Sequence, residues 1–326
     1  YKEQPHVMTK DVKGLKIITK NLNRINPAQA FTEQHAYFAH RITHLVEKID
    51  PKTGDKIGEE IRDDIYLISS DRKYTRLYYT TSPFQGGDYF ITKVPDDVPR
   101  RWSAKSIADF LDGKEQKLNP TELFYNIVRI YDQLVDFENT KHGAEINALY
   151  TMGTYVYRLF ASFPYINLVG ERGSGKTKLG EIHNSLDFNA FMSVGITSAN
   201  IFRTIEDTAG TLILDESEKM EIQEKSEAQF DIEAILNSGY RETGYVSRIE
   251  REGRRNVRKQ YSTYSPKILI GIRSLTPTLL DRSFVINMYK TLNPDKANKA
   301  VPSPNSPEFQ EIRDKLYLFA MNFWKD

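Results

Sequence analysis

The chain has 326 residues, with 45 Lys and Arg against 44 Asp and Glu, and no cysteine. That length allows two domains and a sizeable core, while the balanced charge excludes a general electrostatic pull towards nucleic acid, so such attraction must come from local clusters. The absent cysteines exclude disulfides and thiolate metal sites and fit an intracellular, a thermophilic or an engineered protein; a charged fraction of 27% suits a soluble one, and a cytoplasmic location is expected. Tyr1 rather than Met opens the sequence, and the expectation is a piece of a longer protein with no secretory signal. The longest weakly charged stretch, 146–170, contains Arg158 and reads as a buried helix plus a strand, not a membrane span.

Residues 1–100 read as a β-rich accessory domain. A short strand is expected at 14–19. Segments 35–49 and 57–69 flank the turn sequence Pro51-Lys52-Thr53-Gly54-Asp55, and further strands are expected at 76–81 and 89–94. His35, His40 and His44 invite a metal reading. The β-branched residues around them (Ile42, Thr43, Val46) favour a strand, on which His40 and His44 sit about 13 Å apart, too far for one ion, and His35 faces the other way; on a helix His40 and His44 would be neighbours. From Trp102 the periodicity becomes helical, and 101–142 is expected to be a helical connector. Ser103 can cap a helix ended by Gly113. A second helix spans 120–137, with Leu123, Ile127, Ile130 and Leu134 on one face, and a third spans 143–160.

The remainder, 143–326, carries the chemistry. Gly170-Glu171-Arg172-Gly173-Ser174-Gly175-Lys176-Thr177 fits Gly-x-x-x-x-Gly-Lys-[Ser/Thr], with a strand-like run before it (165–169) and a helix-like run after it (178–186). That context makes it a phosphate-binding loop: Gly170, Gly173, Ser174 and Gly175 let backbone N–H groups face an anion at a helix N-terminus. Lys176 would reach the β- and γ-phosphates of ATP, and Thr177 would hold Mg2+. A second strand is expected at 190–194, then a helix begun at Ser198. The apolar run Thr211-Leu212-Ile213-Leu214 ends in Asp215-Glu216, which would orient the Mg2+ shell and polarise the attacking water respectively.

A helix at 230–239 precedes two β-compatible arms meeting near Glu252-Gly253. Arg248, Arg251, Arg254, Arg255, Arg258 and Lys259 make these arms the most basic stretch of the chain, suited to DNA phosphates; the plainer alternative is a solvated hairpin paired to Glu250 and Glu252. The buried-type strand 267–273 ends at Arg273 and Ser274, either of which could sense the γ-phosphate. Arg282 precedes a fifth strand at 284–288, where it could project into a neighbouring subunit's site or pair with Asp281. Ser306 caps a last helix, from which Arg313 could reach back to the phosphates.

The order of these motifs, together with Leu275-Thr276-Pro277-Thr278-Leu279-Leu280-Asp281-Arg282-Ser283, resembles AAA+ ATPases of the helix-hairpin-insert type. In particular the chain looks like the MCM-like replicative helicases of plasmids, phages and integrated mobile elements. The last segment is similar to the MCM stretch Leu-Pro-x-x-Leu-Leu-Ser-Arg-Phe, whose arginine acts in trans and maps onto Arg282. Segments 202–206 and 236–241 share the likeness, which covers roughly 102–288; Arg273 stands where the family usually has Asn. The resemblance implies a hexameric ring, ATP between subunits, a DNA-moving hairpin, a truncated lid and a primase domain elsewhere in the full-length protein. The expected core is a three-layer α/β domain with five parallel strands in the order 5-1-4-3-2. Two other functions fit the same motifs: a protein-remodelling AAA+ regulator, and a nucleotide-gated origin-loading factor.

Overall fold

The computed structural model describes residues 11–12, 15–16, 23–77, 89–91, 94–138, 140–193, 198–215, 227–253, 255–271 and 275–326. Alternating apolar and polar residues build the first half of the chain as strands. β1 (Asp11–Val12) pairs with β2 (Leu15–Lys16); after β3 (Asn23–Arg24) come β4 (Ala30–Phe31), β5 (Ala36–Ile49), β6 (Lys56–Ser69) and β7 (Tyr74–Arg76), which form an antiparallel sheet in that order, and β8 (Tyr89–Phe90) pairs with β3. The β5–β6 turn falls on the Pro51–Asp55 sequence, where Gly54 takes a φ of 78° that favours glycine. Only the near end of this long hairpin is buried. Phe38 lies 5.5 Å from the Phe188 ring and 5.7 Å from Tyr317, inside the largest apolar cluster of the molecule, whereas Leu45 and Ile61, paired across the far end, are exposed.

Three helices follow: α1 (Ala104–Leu111), α2 (Pro120–Leu134) and α3 (Gly143–Thr154). Ser103 accepts from the Ser106 amide and Asn119 from those of Thr121 and Glu122, each satisfying N–H groups that a helix start leaves open. The expected continuation of α3 to residue 160 does not form. Thr154 turns its hydroxyl onto the Thr151 carbonyl and receives the Phe188 amide, and the chain tightens into a 3₁₀ turn at Tyr157–Leu159 that buries Tyr155 and Tyr157.

The second half alternates strands and helices: β9 (Tyr165–Gly170), α4 (Lys176–Leu186), β10 (Phe191–Ser193), α5 (Ser198–Thr208), β11 (Leu212–Asp215), α6 (Glu227–Ser238), the hairpin β12 (Tyr245–Glu252) and β13 (Arg255–Ser262), β14 (Lys267–Gly271), α7 (Pro277–Leu280), β15 (Ser283–Met288), α8 (Pro294–Asn298) and α9 (Pro307–Phe323). Five of these strands form one parallel sheet in the order β10-β11-β14-β9-β15, which read from the β15 edge is fifth, first, fourth, third, second. Strand pleating sends Ile166, Leu168, Ile268 and Ile270 towards Leu179, Ile182 and Leu186 of α4. Tyr165, Leu212, Leu214 and Leu269 face α5, α6 and α7 on the other side. Both faces of the sheet are therefore covered, as parallel sheets require. Among the described residues, no helix is long and apolar enough to cross a membrane.

Arg313 does not reach the phosphates. It is 2% exposed and donates to the carbonyls of Ser185 and Pro304 at 2.8 and 2.6 Å, and to Gln310 Oε1 at 2.7 Å. Its guanidinium staples α9 to the carboxyl end of α4, about 15 Å of helix away from the loop that precedes α4.

His40 likewise serves the core. Burial lowers its pKa from 6.5 to about 4, a bond with the Trp102 backbone opposes this, and Arg100 lowers it further. The unfolded chain takes up this proton near 6.5 and the folded chain only near 4. Between those values the unfolded state binds more protons, so stability falls as pH drops, by up to about 3 kcal/mol from this one group. Denaturant titrations at pH 7 and pH 4 should show a smaller loss for His40→Asn than for the parent chain; identical losses would contradict this account.

Candidate functional site

The loop of residues 170–177 leaves the carboxyl end of β9 and enters α4. Its shape depends on glycine at three places. Gly173 and Gly175 have φ of 81° and 87°, values that side chains rarely adopt, and a Cβ on Gly170 would lie 2.2 Å from the Met288 carbonyl oxygen. Gly175 caps α4 without a side chain, so the first amides of the helix stay open to an anion. Lys176 is the first helical residue. Its largely buried side chain bends across the loop, and its Nζ donates to the carbonyls of Gly170 at 2.7 Å and Glu171 at 2.9 Å. Beneath it the buried Ser174 hydroxyl has no hydrogen-bond partner.

Thr177 and Asp215 meet at the mouth of this loop. Asp215 ends β11 level with Ile270 of β14, which is level with Leu168 of β9, so the three strands present their carboxyl ends together. The Thr177 hydroxyl lies 3.2 Å from Asp215 Oδ2 and donates to it. A hydroxyl and a carboxylate beside an anion cradle are the hard oxygen donors that Mg2+ takes, so these residues fit that ion. Among the described residues no three His, Cys, Asp or Glu side chains are grouped so as to hold a metal ion. Glu216, Arg254 and Arg273 lie outside the described residues.

Arg282 sits at the opposite end of the sheet. Ser283 pairs with Tyr165 and Met288 with Gly170, so Arg282 is roughly 20 Å from the loop of its own chain. It does not pair with Asp281. Instead its guanidinium donates to the Asn237 carbonyl and lies 5.6 Å over the Tyr240 ring.

Residues 245–262 form the expected hairpin, turning at Gly253 with φ 60°. Its pleat divides the basic residues. Arg248 and Lys259 form a cross-strand pair on the face against α5, with Arg248 5.4 Å over the Phe202 ring and Lys259 3.3 Å from Glu250. Bonds from Tyr261 and then Arg203 hold the Glu250 carboxyl down at about 2. Arg251 and Arg258 share the outer face with the exposed Tyr245 and Ile249; Arg251 donates to the Gly253 carbonyl and Arg258 to the Ser247 hydroxyl. Arg255 is exposed beside the turn.

Sequence reasoning missed two groups near the loop. The first is a buried network that seats α4. His183 Nδ1 is 3.0 Å from Asp187 Oδ2, and its Nε2 is 2.7 Å from Asn147 Oδ1. Thr151 donates to Asp187, and Tyr131 bonds His183 at 2.9 Å. No motif announces residues scattered from 131 to 187, although a His and an Asp four apart on a buried helix face are a usable signal. The second is Lys290, two residues past β15, whose Cε lies 3.7 Å from where a Gly173 Cβ would be. Farther along the same segment, Asn293 and Lys296 line a cleft of about 410 Å³ together with Asp132, Asp136, Lys141 and Glu145.

No protein-family model matches the chain, and no curated protein does. Among solved structures, the JCV helicase matches over 57% of this chain and 50% of its own, with 12% identity and a TM-score of 0.31. The C-terminal region of NrS-1, in an apo form, matches over 79% of this chain and 63% of its own, with 13% identity and a TM-score of 0.36. This chain thus spans between 50% and 63% of the structures it matches. Similarity this distant transfers no residue's role.

Proposed function

We propose that the chain is a Mg2+-dependent ATPase of the AAA+ type that acts in a ring, a hexamer by the family resemblance, as a DNA helicase replicating a mobile element. The observation that carries this reading is the Thr177–Asp215 contact at the mouth of a glycine loop across which Lys176 bends. In this reading the amides of 173–177 and the Lys176 ammonium bind the β- and γ-phosphates. To do so Lys176 exchanges the Gly170 and Glu171 carbonyls for phosphate oxygens. Thr177 and Asp215 would hold Mg2+, which when bound neutralises charge on the phosphates. Glu216 accepts the proton of the attacking water, and Arg273 reads the γ-phosphate. Arg282 is too far to serve its own chain, so it is assigned to the site of the next subunit. The hairpin carries the product of hydrolysis, motion, to a single DNA strand. Arg251 and Arg258 meet phosphates, and Tyr245 and Ile249 meet bases. The acid-lined cleft would take the uncharged nucleoside end of ATP.

Nucleotide binding and turnover test this directly. The parent chain should bind ATP and hydrolyse it faster with single-stranded DNA. Asp215→Asn should retain binding in the absence of Mg2+ and lose at least about a hundredfold in turnover. A parent chain that binds no ATP, or turnover indifferent to Asp215, would end this reading.

The hairpin's two faces give a second test. Replacing Arg251 and Arg258 together by Ala should weaken DNA binding and reduce the salt dependence of log K by about 1 to 2, at an unchanged melting temperature. Replacing Arg248 and Lys259 should instead loosen the hairpin from α5, lowering stability. Equal DNA-binding losses in both pairs, with no difference in melting, would contradict the division of the faces.

A further inference from the structure

We infer that Lys290 is a second phosphate-binding cation of the loop, and that it holds the phosphates on the nucleoside side rather than the one that is cleaved. The inference rests on the nucleotide-site reading above and specifies how that site is charged. Three lysines stand around the β15 side of the loop. Lys178 donates to the Lys296 carbonyl at 2.7 Å, and Lys296 lies 3.3 Å from the Asp132 carboxylate and donates to the Val135 carbonyl at 3.2 Å, so both are engaged in holding α8. Lys290 is exposed, and no carboxylate pairs with it among the described residues.

Its position is set from both sides. Thr140 donates to the Asn287 carbonyl at 2.7 Å, and the Thr291 hydroxyl bonds Asp136, whose carboxyl that bond keeps below its ordinary value. The backbone that carries Lys290 is therefore tied to the α2–α3 connection, and the Lys290 Cε lies 3.7 Å from where a Cβ on Gly173 would be. A lysine on a backbone anchored this way gives up less backbone freedom on meeting an anion than one on an untethered loop.

Strand order decides which phosphate it meets. Thr177 and Asp215 approach the loop from the β11 and β14 side of β9, and β15 lies on the other side. A phosphate chain lying along the loop has its reacting end at the Thr177–Asp215 pair and its other end on the β15 side, by Lys290. Contacts at the non-reacting end are the same before and after cleavage. They strengthen binding without favouring the transition state.

The test is the affinity of Lys290→Ala for ATP and for ADP, measured by calorimetry beside the parent chain and Lys290→Arg. Lys290→Ala should weaken both nucleotides by a similar factor, about tenfold, and raise KM rather than lower kcat. Lys290→Arg should keep most of the affinity. Unchanged affinities in Lys290→Ala would overturn the inference, as would weakening confined to ATP or a loss confined to kcat. A parent chain that binds neither nucleotide would overturn the underlying reading, and with it this role, so the two failures are told apart by the parent measurement.

Discussion

The contact between the Thr177 hydroxyl and the Asp215 carboxylate exists because three neighbouring parallel strands end at the same level. Everything else around the loop follows from that alignment. β9 must be interior to the sheet for its carboxyl end to lie beside both β14 and β15, and α4 must pack back on the sheet for Thr177 to face Asp215. The packing of α4 has two anchors. Leu179, Ile182 and Leu186 meet the apolar face of the strands, and the buried His183–Asp187 network fixes the helix against α2 and α3. Such a network is costly if half satisfied, so its complete pairing holds α4 to one orientation.

The far end of the sheet is organised around the end of α6. The Asn237 carbonyl accepts from Arg282, the Ser238 hydroxyl bonds that of Thr263 at the foot of the hairpin, and the Gly239 carbonyl accepts from Lys267. Lys267 is fully buried and its pKa is driven well below the ordinary lysine range by burial; it also donates to the Thr263 and Ser265 carbonyls. Three consecutive residues thus join Arg282, the hairpin and the sheet. In the proposed ring, a displacement of Arg282 by a neighbour's nucleotide would have a short, hydrogen-bonded route to the hairpin. Glu206, at the end of α5, extends that route, since its carboxylate accepts from the Ser262 amide and pairs with Arg24 of the β-rich segment.

The parts legible in the sequence were those written in local chemistry. The loop glycines, the Ser103 and Ser306 caps, the turn at Gly54 and the hairpin at Gly253 each depend on residues within a few positions. The five core strands were legible because buried parallel strands are short apolar runs punctuated by helices; the expectation of their order came with the family resemblance. What escaped was set by tertiary packing. Arg313 looked available because an arginine on an amphipathic helix normally is; only the fold shows carbonyls from three segments closing around it. The division of the hairpin cations needed the strand register, and Lys290 needed the knowledge that β15 ends beside Gly173.

The central claim is that one chain holds half an active site: the phosphate loop at one end of the sheet and Arg282 at the other, serving a neighbour. Mixing Lys176→Ala chains with Arg282→Ala chains tests it most directly, with DNA-stimulated ATP hydrolysis as the readout. Each variant alone should be inactive. A random equimolar mixture should recover about a quarter of the parent rate, because one interface in four pairs an intact loop with an intact arginine. No recovery in mixtures shown to co-assemble, or full activity of Arg282→Ala alone, would contradict the account.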